Sequence, residues 1–185
     1  QQFGFILHYA DQRFFPTKEG LYSEADDLDF DELQNSTLDV GTPVVILHRS
    51  QDNVWFYTMS ETSYGWIRAD AVAIVRLEDV KEFLTAPSFA VVTEAKADIF
   101  RNDRLTRFYD YARMGTKFIL REIDDHNIVS VYLPRRNEDG SLDFATGYLR
   151  PGSVQKGYLS YTAGNIIHQA FELLNEPYGW GGMYG

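Results

Sequence analysis

One rhythm occurs twice in this sequence, and it confines the chain to a narrow set of folds. A Gly-Thr pair opens a strand-like run, a polar turn follows, and an aromatic-rich run comes next. In the first occurrence Gly41-Thr42-Pro43 leads into residues 44–48 (VVILH), Gln51-Asp52-Asn53 makes a turn, and residues 54–60 (VWFYTMS) follow. In the second, Gly115-Thr116 leads into residues 117–124 (KFILREID), Asp125-His126-Asn127 turns, and residues 128–134 (IVSVYLP) follow. Short β-rich runs separated by turn residues read as hairpins, and their recurrence reads as two related β modules in tandem.

The rest of each half fits this pattern. Residues 3–10 form a mostly apolar run, and Pro16 fixes a turn or an edge position. Residues 66–68 and 71–75 add two short strands, giving four or five strands in the first 75 residues or so, as in a small barrel. Residues 89–100 and 142–150 supply strands to the second half. Between the halves, residues 77–84 (LEDVKEFL) read as a short helix stopped by Pro87, a linker over 77–88. Residues 23–36 are acidic and read as a loop, in which Leu28, Phe30 and Leu33 form the apolar face of one helical turn.

The third part breaks the rhythm. From Thr162 to Leu174 the apolar residues Ile166, Ile167, Ala170, Phe171, Leu173 and Leu174 fall on one helical face, with Thr162 as the N-cap and Pro177 preventing continuation. A lone amphipathic helix after two barrels needs a partner, and further chain is the natural one. The expected organisation is therefore mainly β: a first small barrel over 1–76, the linker over 77–88, a second barrel over 89–160, and a distinct piece over 161–185.

Composition narrows the function. Net charge is −10, so counterion release on a polyanion offers no gain and nucleic acid is not expected as a partner. Cysteine is absent, which removes disulfides, thiolate metal sites and a cysteine nucleophile from this chain. No apolar run approaches the roughly 20 residues of a membrane span. The carboxylates Asp27, Asp29 and Asp31 alternate as in a calcium loop. Counted from Asp27, however, the sixth residue is Glu32 rather than Gly and the twelfth is Leu38 rather than Glu, so no metal site is expected there. His8, His48, His126 and His168 lack the spacing of zinc ligands, and no Gly-x-Ser-x-Gly elbow is present. The segment Pro177-Tyr178-Gly179-Trp180-Gly181-Gly182 remains. Its paired glycines permit positive φ or a close backbone approach, and its aromatics offer flat ligand walls.

The amphipathic helix ending in Leu173-Leu174, followed by PYGWGG, resembles the entry to the catalytic domain of NlpC-type cysteine peptidases. QRFFPT (12–17), residues 29–60 and YGWI (64–67) resemble the first bacterial SH3-like module of a multi-domain branch of that family, and MGTKFIL (114–120) resembles the second. The resemblance implies a papain-like α+β domain beginning near residue 161. Its reaction would be cleavage of γ-D-glutamyl–diamino-acid bonds in peptidoglycan stem peptides, without a cofactor, in the periplasm, cell envelope or outside a bacterial cell. It implies that Tyr178 and Trp180 line the substrate cleft. It also implies that the first module receives the free amine of the stem peptide, with Tyr64 and the carboxylates Asp29 and Asp31 as its candidates. The family's cysteine follows PYGWGG by a few residues and has no counterpart here, so the chain is expected to be inactive alone. Its partners would be the rest of the catalytic domain and the stem peptide or muropeptide. A stand-alone module that binds cell wall or peptide is the rival expectation, and an adaptor for proline-rich ligands is a third.

Overall fold

The computed structural model describes residues 1–24 and 26–182. The fold is mainly β: two seven-stranded antiparallel sheets with one helix between them and one after them. The first sheet holds β1 (Gln2–Ile6), β2 (Ala10–Arg13), β3 (Gln34–Leu38), β4 (Pro43–Arg49), β5 (Trp55–Met59), β6 (Tyr64–Arg68) and β7 (Val72–Val75). Helix α1 (Leu77–Thr85) follows. The second sheet holds β8 (Phe89–Val92), β9 (Lys96–Phe100), β10 (Phe108–Arg113), β11 (Lys117–Ile123), β12 (Val129–Arg136), β13 (Leu142–Leu149) and β14 (Val154–Lys156). Helix α2 (Ala163–Glu172) and a 3-10 turn at Trp180–Gly182 come last.

The strand orders are β3-β2-β6-β5-β4-β1-β7 and β10-β9-β13-β12-β11-β8-β14, the same order with every index raised by seven. The repeat extends to single hydrogen bonds. Gly41 N–H donates to Ile6 O (2.7 Å) and Ile6 N–H to Thr42 O (3.0 Å); Gly115 N–H donates to Val92 O (2.9 Å) and Val92 N–H to Thr116 O (3.0 Å). Gly41 has φ 85° and Gly115 φ 89°, a left-handed conformation that only glycine adopts freely. The Gly-Thr pairs are the sequence trace of this turn. In the β4–β5 and β11–β12 hairpins, Asn53 (φ 60°) and Asn127 (φ 61°) occupy equivalent left-handed positions, which asparagine tolerates.

Two expectations need correcting. The first sheet has seven strands rather than four or five. The run over 3–10 ends β1 at Ile6, and β2 begins only at Ala10. The acidic stretch contains no helical turn among its described residues: Leu28 is 60% exposed, and Phe30 is used elsewhere.

The two sheets are held firmly together. Phe5, Val75, Val80 and Phe83 form a buried cluster at α1, with Ile119 and Leu142 of the second sheet packed against it; the Phe5 and Phe83 ring centroids are 5.1 Å apart. Val40 extends from the β3–β4 turn into the core of the second sheet, beside Phe118 and Leu120. Ile74 N–H donates to Gly140 O (3.2 Å), and the Tyr109 hydroxyl donates to Leu7 O (2.8 Å). Burying this much apolar surface at the joint, at about 25 cal/mol per Å², opposes independent movement of the halves.

Candidate binding cleft

The β2–β3 connection, residues 14–33, is the longest loop of the first sheet, and its shape is set from inside. Arg13 is 6% exposed and Asp31 3% exposed. Their side chains pair at 2.8 Å, and Arg13 also donates to Glu19 O (2.6 Å) and to Gln34 Oε1 (3.0 Å). The other Asp31 oxygen accepts from Leu21 N–H (2.9 Å) and Leu33 N–H (3.0 Å), closing the loop on itself. Burial acts to raise the Asp31 carboxyl. The two backbone N–H groups and the Arg13 guanidinium outweigh it, leaving the carboxyl below its ordinary value.

On this loop sits the C-terminal segment. Trp180 N–H donates to Asp29 O (3.1 Å), and the Trp180 ring packs on Phe30 with centroids 4.6 Å apart. Gly182 O accepts from the Tyr9 hydroxyl at 2.5 Å and from Thr37 Oγ1 at 3.4 Å. Burial raises the Tyr9 phenol above its ordinary value, so it remains a donor across the neutral range. Gly181 (φ 59°) and Gly182 (φ 78°) are both left-handed. A Cβ on Gly181 would lie 2.7 Å from Gln34, and one on Gly182 would lie 2.5 Å from Thr37 Oγ1. The paired glycines are thus what lets this segment lie flat on β3.

The second sheet also reaches this place. Arg113, at the end of β10, forks onto Asp39 (Nη2–Oδ2 2.8 Å, Nε–Oδ2 3.0 Å) and donates to Thr37 O (3.0 Å). Burial disfavours the Arg113 charge, but Asp39 more than restores it, so the guanidinium is held firmly charged. Tyr9 N–H donates to Asp110 Oδ2 (2.8 Å), and the Tyr9 and Tyr111 rings lie 5.1 Å apart. Beside this clamp a groove of about 530 Å³ opens, lined by Asp39, Arg113, Met114, Leu173, Pro177 and Tyr178 among others.

The residues singled out from the sequence therefore have distinct places. Asp29 and Trp180 meet directly. Asp31 lies beneath them, with its oxygens committed to Arg13, Leu21 and Leu33. Tyr64 is 59% exposed and joins through its backbone: Asn35 Nδ2 donates to Tyr64 O, and Asn35 lies against Gly181. Tyr178 is 80% exposed and lines the groove on the Arg113 side rather than stacking on Phe30. Met183, Tyr184 and Gly185 lie outside the described residues, as does Ala25. Sequence reasoning missed Phe30 as the seat of Trp180 and missed Tyr9 and Arg113 as the groups that hold the Gly182 region. Helix α2 is capped as expected, Thr162 Oγ1 accepting from Asn165 N–H at 3.2 Å, and its apolar residues Ile167 (57%) and Phe171 (66%) are exposed. Among the described residues, no group of three or more His, Asp or Glu is placed to hold a metal ion, and no helix is long and apolar enough to cross a membrane.

Comparison with known proteins bears on the same elements. Residues 20–68 match the model of the SH3 domain of SH3b1 type. The match runs from within the β2–β3 loop to the end of β6, the part of the first sheet that carries Asp29, Phe30 and Tyr64. No curated protein matches the chain. The whole fold is similar to an NlpC/P60 endopeptidase from Photobacterium damselae subsp. piscicida, with a TM-score of 0.77 and 21% identity over 98% of this chain and 39% of that one. It is also similar to an NlpC/P60 family protein from Bacillus cereus ATCC 10987, with a TM-score of 0.66 and 14% identity over 97% of this chain and 66% of that one. At these identities the likeness is one of fold, and this chain spans less than two thirds of either protein.

Proposed function

We propose that this chain is the substrate-positioning part of a peptidoglycan stem-peptide hydrolase, a γ-D-glutamyl-L-diamino-acid endopeptidase of the cell envelope. Residues 1–76 and 89–160 are its two SH3-like modules, 77–88 joins them, and 161–185 begins a papain-like domain. The observation that carries the reading is the seating of Trp180 on Phe30 and Asp29 while Tyr9 holds Gly182 O. Through that contact the PYGWGG segment and the acidic loop of the first module become one wall. The fold likeness to two NlpC/P60 proteins over nearly the whole chain supports it.

In this reading Trp180 and Tyr178 flank the peptide, and Asp29 on the loop rim faces its free amine. An ammonium leaving water needs a carboxylate partner, and the acidic loop concentrates them. Asp31 contributes by holding the loop in shape. Hydrolysis needs an activated thiolate and a base, and a chain without cysteine supplies no thiolate. The chain alone therefore binds stem peptide and leaves its γ-D-glutamyl bond intact.

The test is titration of the chain with L-Ala-γ-D-Glu-diaminopimelate, followed by the three tryptophan indole resonances. Shifts at Trp180 and their loss in Trp180→Ala are expected, as is weaker binding of the N-acetylated peptide. Binding that survives removal of residues 162–185 unchanged would favour a self-sufficient cell-wall module instead. An absence of binding would refute both.

A further inference from the structure

A second concavity of about 470 Å³ opens on the first sheet, and none of Asp29, Phe30, Tyr64, Tyr178 or Trp180 lines it. Its volume falls in the range of small-molecule sites, about 300–1,000 Å³. In a chain of net charge −10 its lining is notable for its cations: Arg13, Lys18 and Arg68.

These cations differ in how far they are used. Arg68 is forked onto Asp70 (Nε–Oδ1 3.0 Å, Nη2–Oδ2 2.5 Å) and lies over Trp55, 6.0 Å from the ring centroid. Arg13 spends both terminal nitrogens on Gln34, Glu19 O and Asp31, but its Nε is buried and has no acceptor within the protein. That nitrogen is closed off from the cavity with the rest of Arg13, which is 6% exposed, so Arg13 gives a ligand no direct contact. Lys18, at the rim, has no hydrogen bond or ion pair among the described residues. Trp55 and Tyr9 supply flat walls between these groups.

We propose that this cavity binds a short peptide through a free carboxylate, with Lys18 as the charge partner and Trp55 as the wall. The carboxylates of Asp11 and Asp70 in the same lining choose between anions. They repel a dianion such as phosphate, whereas they accept amide N–H groups of a peptide that carries one negative charge. The site shares the Tyr9 side chain with the Trp180 cleft but none of that cleft's proposed peptide contacts, and it does not depend on the chain's being part of a hydrolase.

The experiment titrates the 185-residue chain, with its indoles labelled, with N-acetyl-Ala-Ala, its C-terminal amide, N-acetyl-Glu α-amide and inorganic phosphate. The acid should shift the Trp55 indole resonance and leave Trp180 in place. The amide should bind at least about fivefold more weakly. Lys18 is exposed, so Lys18→Gln should keep the fold, shown by an unchanged spectrum of the free protein, and should weaken the acid about fivefold while leaving the amide unchanged. The two acids separate a terminal carboxylate from a side-chain one, and binding of either at Trp55 supports the site. Equal binding of acid and amide, tighter binding of phosphate, or indifference to Lys18→Gln would overturn it.

Discussion

The two sheets share strand order, left-handed turns and paired hydrogen bonds, and they differ most in one connection. Between β2 and β3 the first sheet carries 20 residues (14–33), whereas between β9 and β10 the second carries seven (101–107). The long loop is acidic, encloses the buried Arg13–Asp31 pair and receives Trp180. The short one closes through Asn102, whose side chain accepts from Arg107 N–H at 2.8 Å. A repeated scaffold is thus specialised chiefly at one loop, as expected where strands supply rigidity and loops supply contacts. Even the joint uses the repeat. Asp39 and Arg113 stand at equivalent places, each three residues before its threonine: Thr42 N–H donates to Asp39 O (3.1 Å), and Thr116 N–H donates to Arg113 O (3.0 Å). Opposite charges at one repeated position let the two halves pair with each other.

The largest effect that would break this comparison is at the loop. Asp31→Ala leaves Arg13 buried without its counter-charge, at a cost of about 3–5 kcal/mol, and should also release Trp180; urea unfolding and the Trp180 indole resonance read the two effects. Phe118→Ala, in the core of the second sheet, should cost a similar 3–5 kcal/mol and leave the Trp180 signal of the folded protein unchanged, which separates stability from docking. Arg113→Ala should cost about 1.5–3 kcal/mol in the same unfolding experiment, because it strips charged hydrogen bonds from a mostly buried Asp39. Smallest are the paired glycines. Gly41→Ala and Gly115→Ala each force alanine to positive φ, at about 1–2 kcal/mol, and their equality would sharpen the claim that the turns are one motif used twice.

Acid should act on the loop as well. The Asp31 carboxyl lies lower in the folded state than in the unfolded chain, so its contribution is fully present above its unfolded value, about 4. It is lost as the pH falls below that, through the folded value. Stability measured from pH 6 downward should decline below about pH 4, and the decline should be shallower in Asp31→Ala.

Much of this was legible in the sequence, for physical reasons that can be named. The Gly-Thr pairs exposed the repeat because their geometry excludes most other residues. Helix α2 showed itself through its cap and its 3.6-residue apolar spacing. Strand β3 was hidden because its sequence, QNSTL, buries Gln34 and Thr37 through hydrogen bonds instead of an apolar alternation. The Arg13–Asp31 pair spans 18 positions, and no local pattern announces a buried ion pair. The PYGWGG segment stood out by its aromatics and paired glycines, but its seat on Phe30 depends on a loop whose shape comes from that hidden pair. Asp29 and Asp31 looked alike in the acidic run; only the fold gives one to the rim and the other to the interior.

The central claim is that the acidic loop and the PYGWGG segment form one wall, and a ring-to-ring nuclear Overhauser measurement on the intact chain tests it most directly. With centroids 4.6 Å apart, Phe30 and Trp180 should give strong cross-peaks in the wild type that vanish in Asp31→Ala. Wild-type spectra without those cross-peaks would contradict the account.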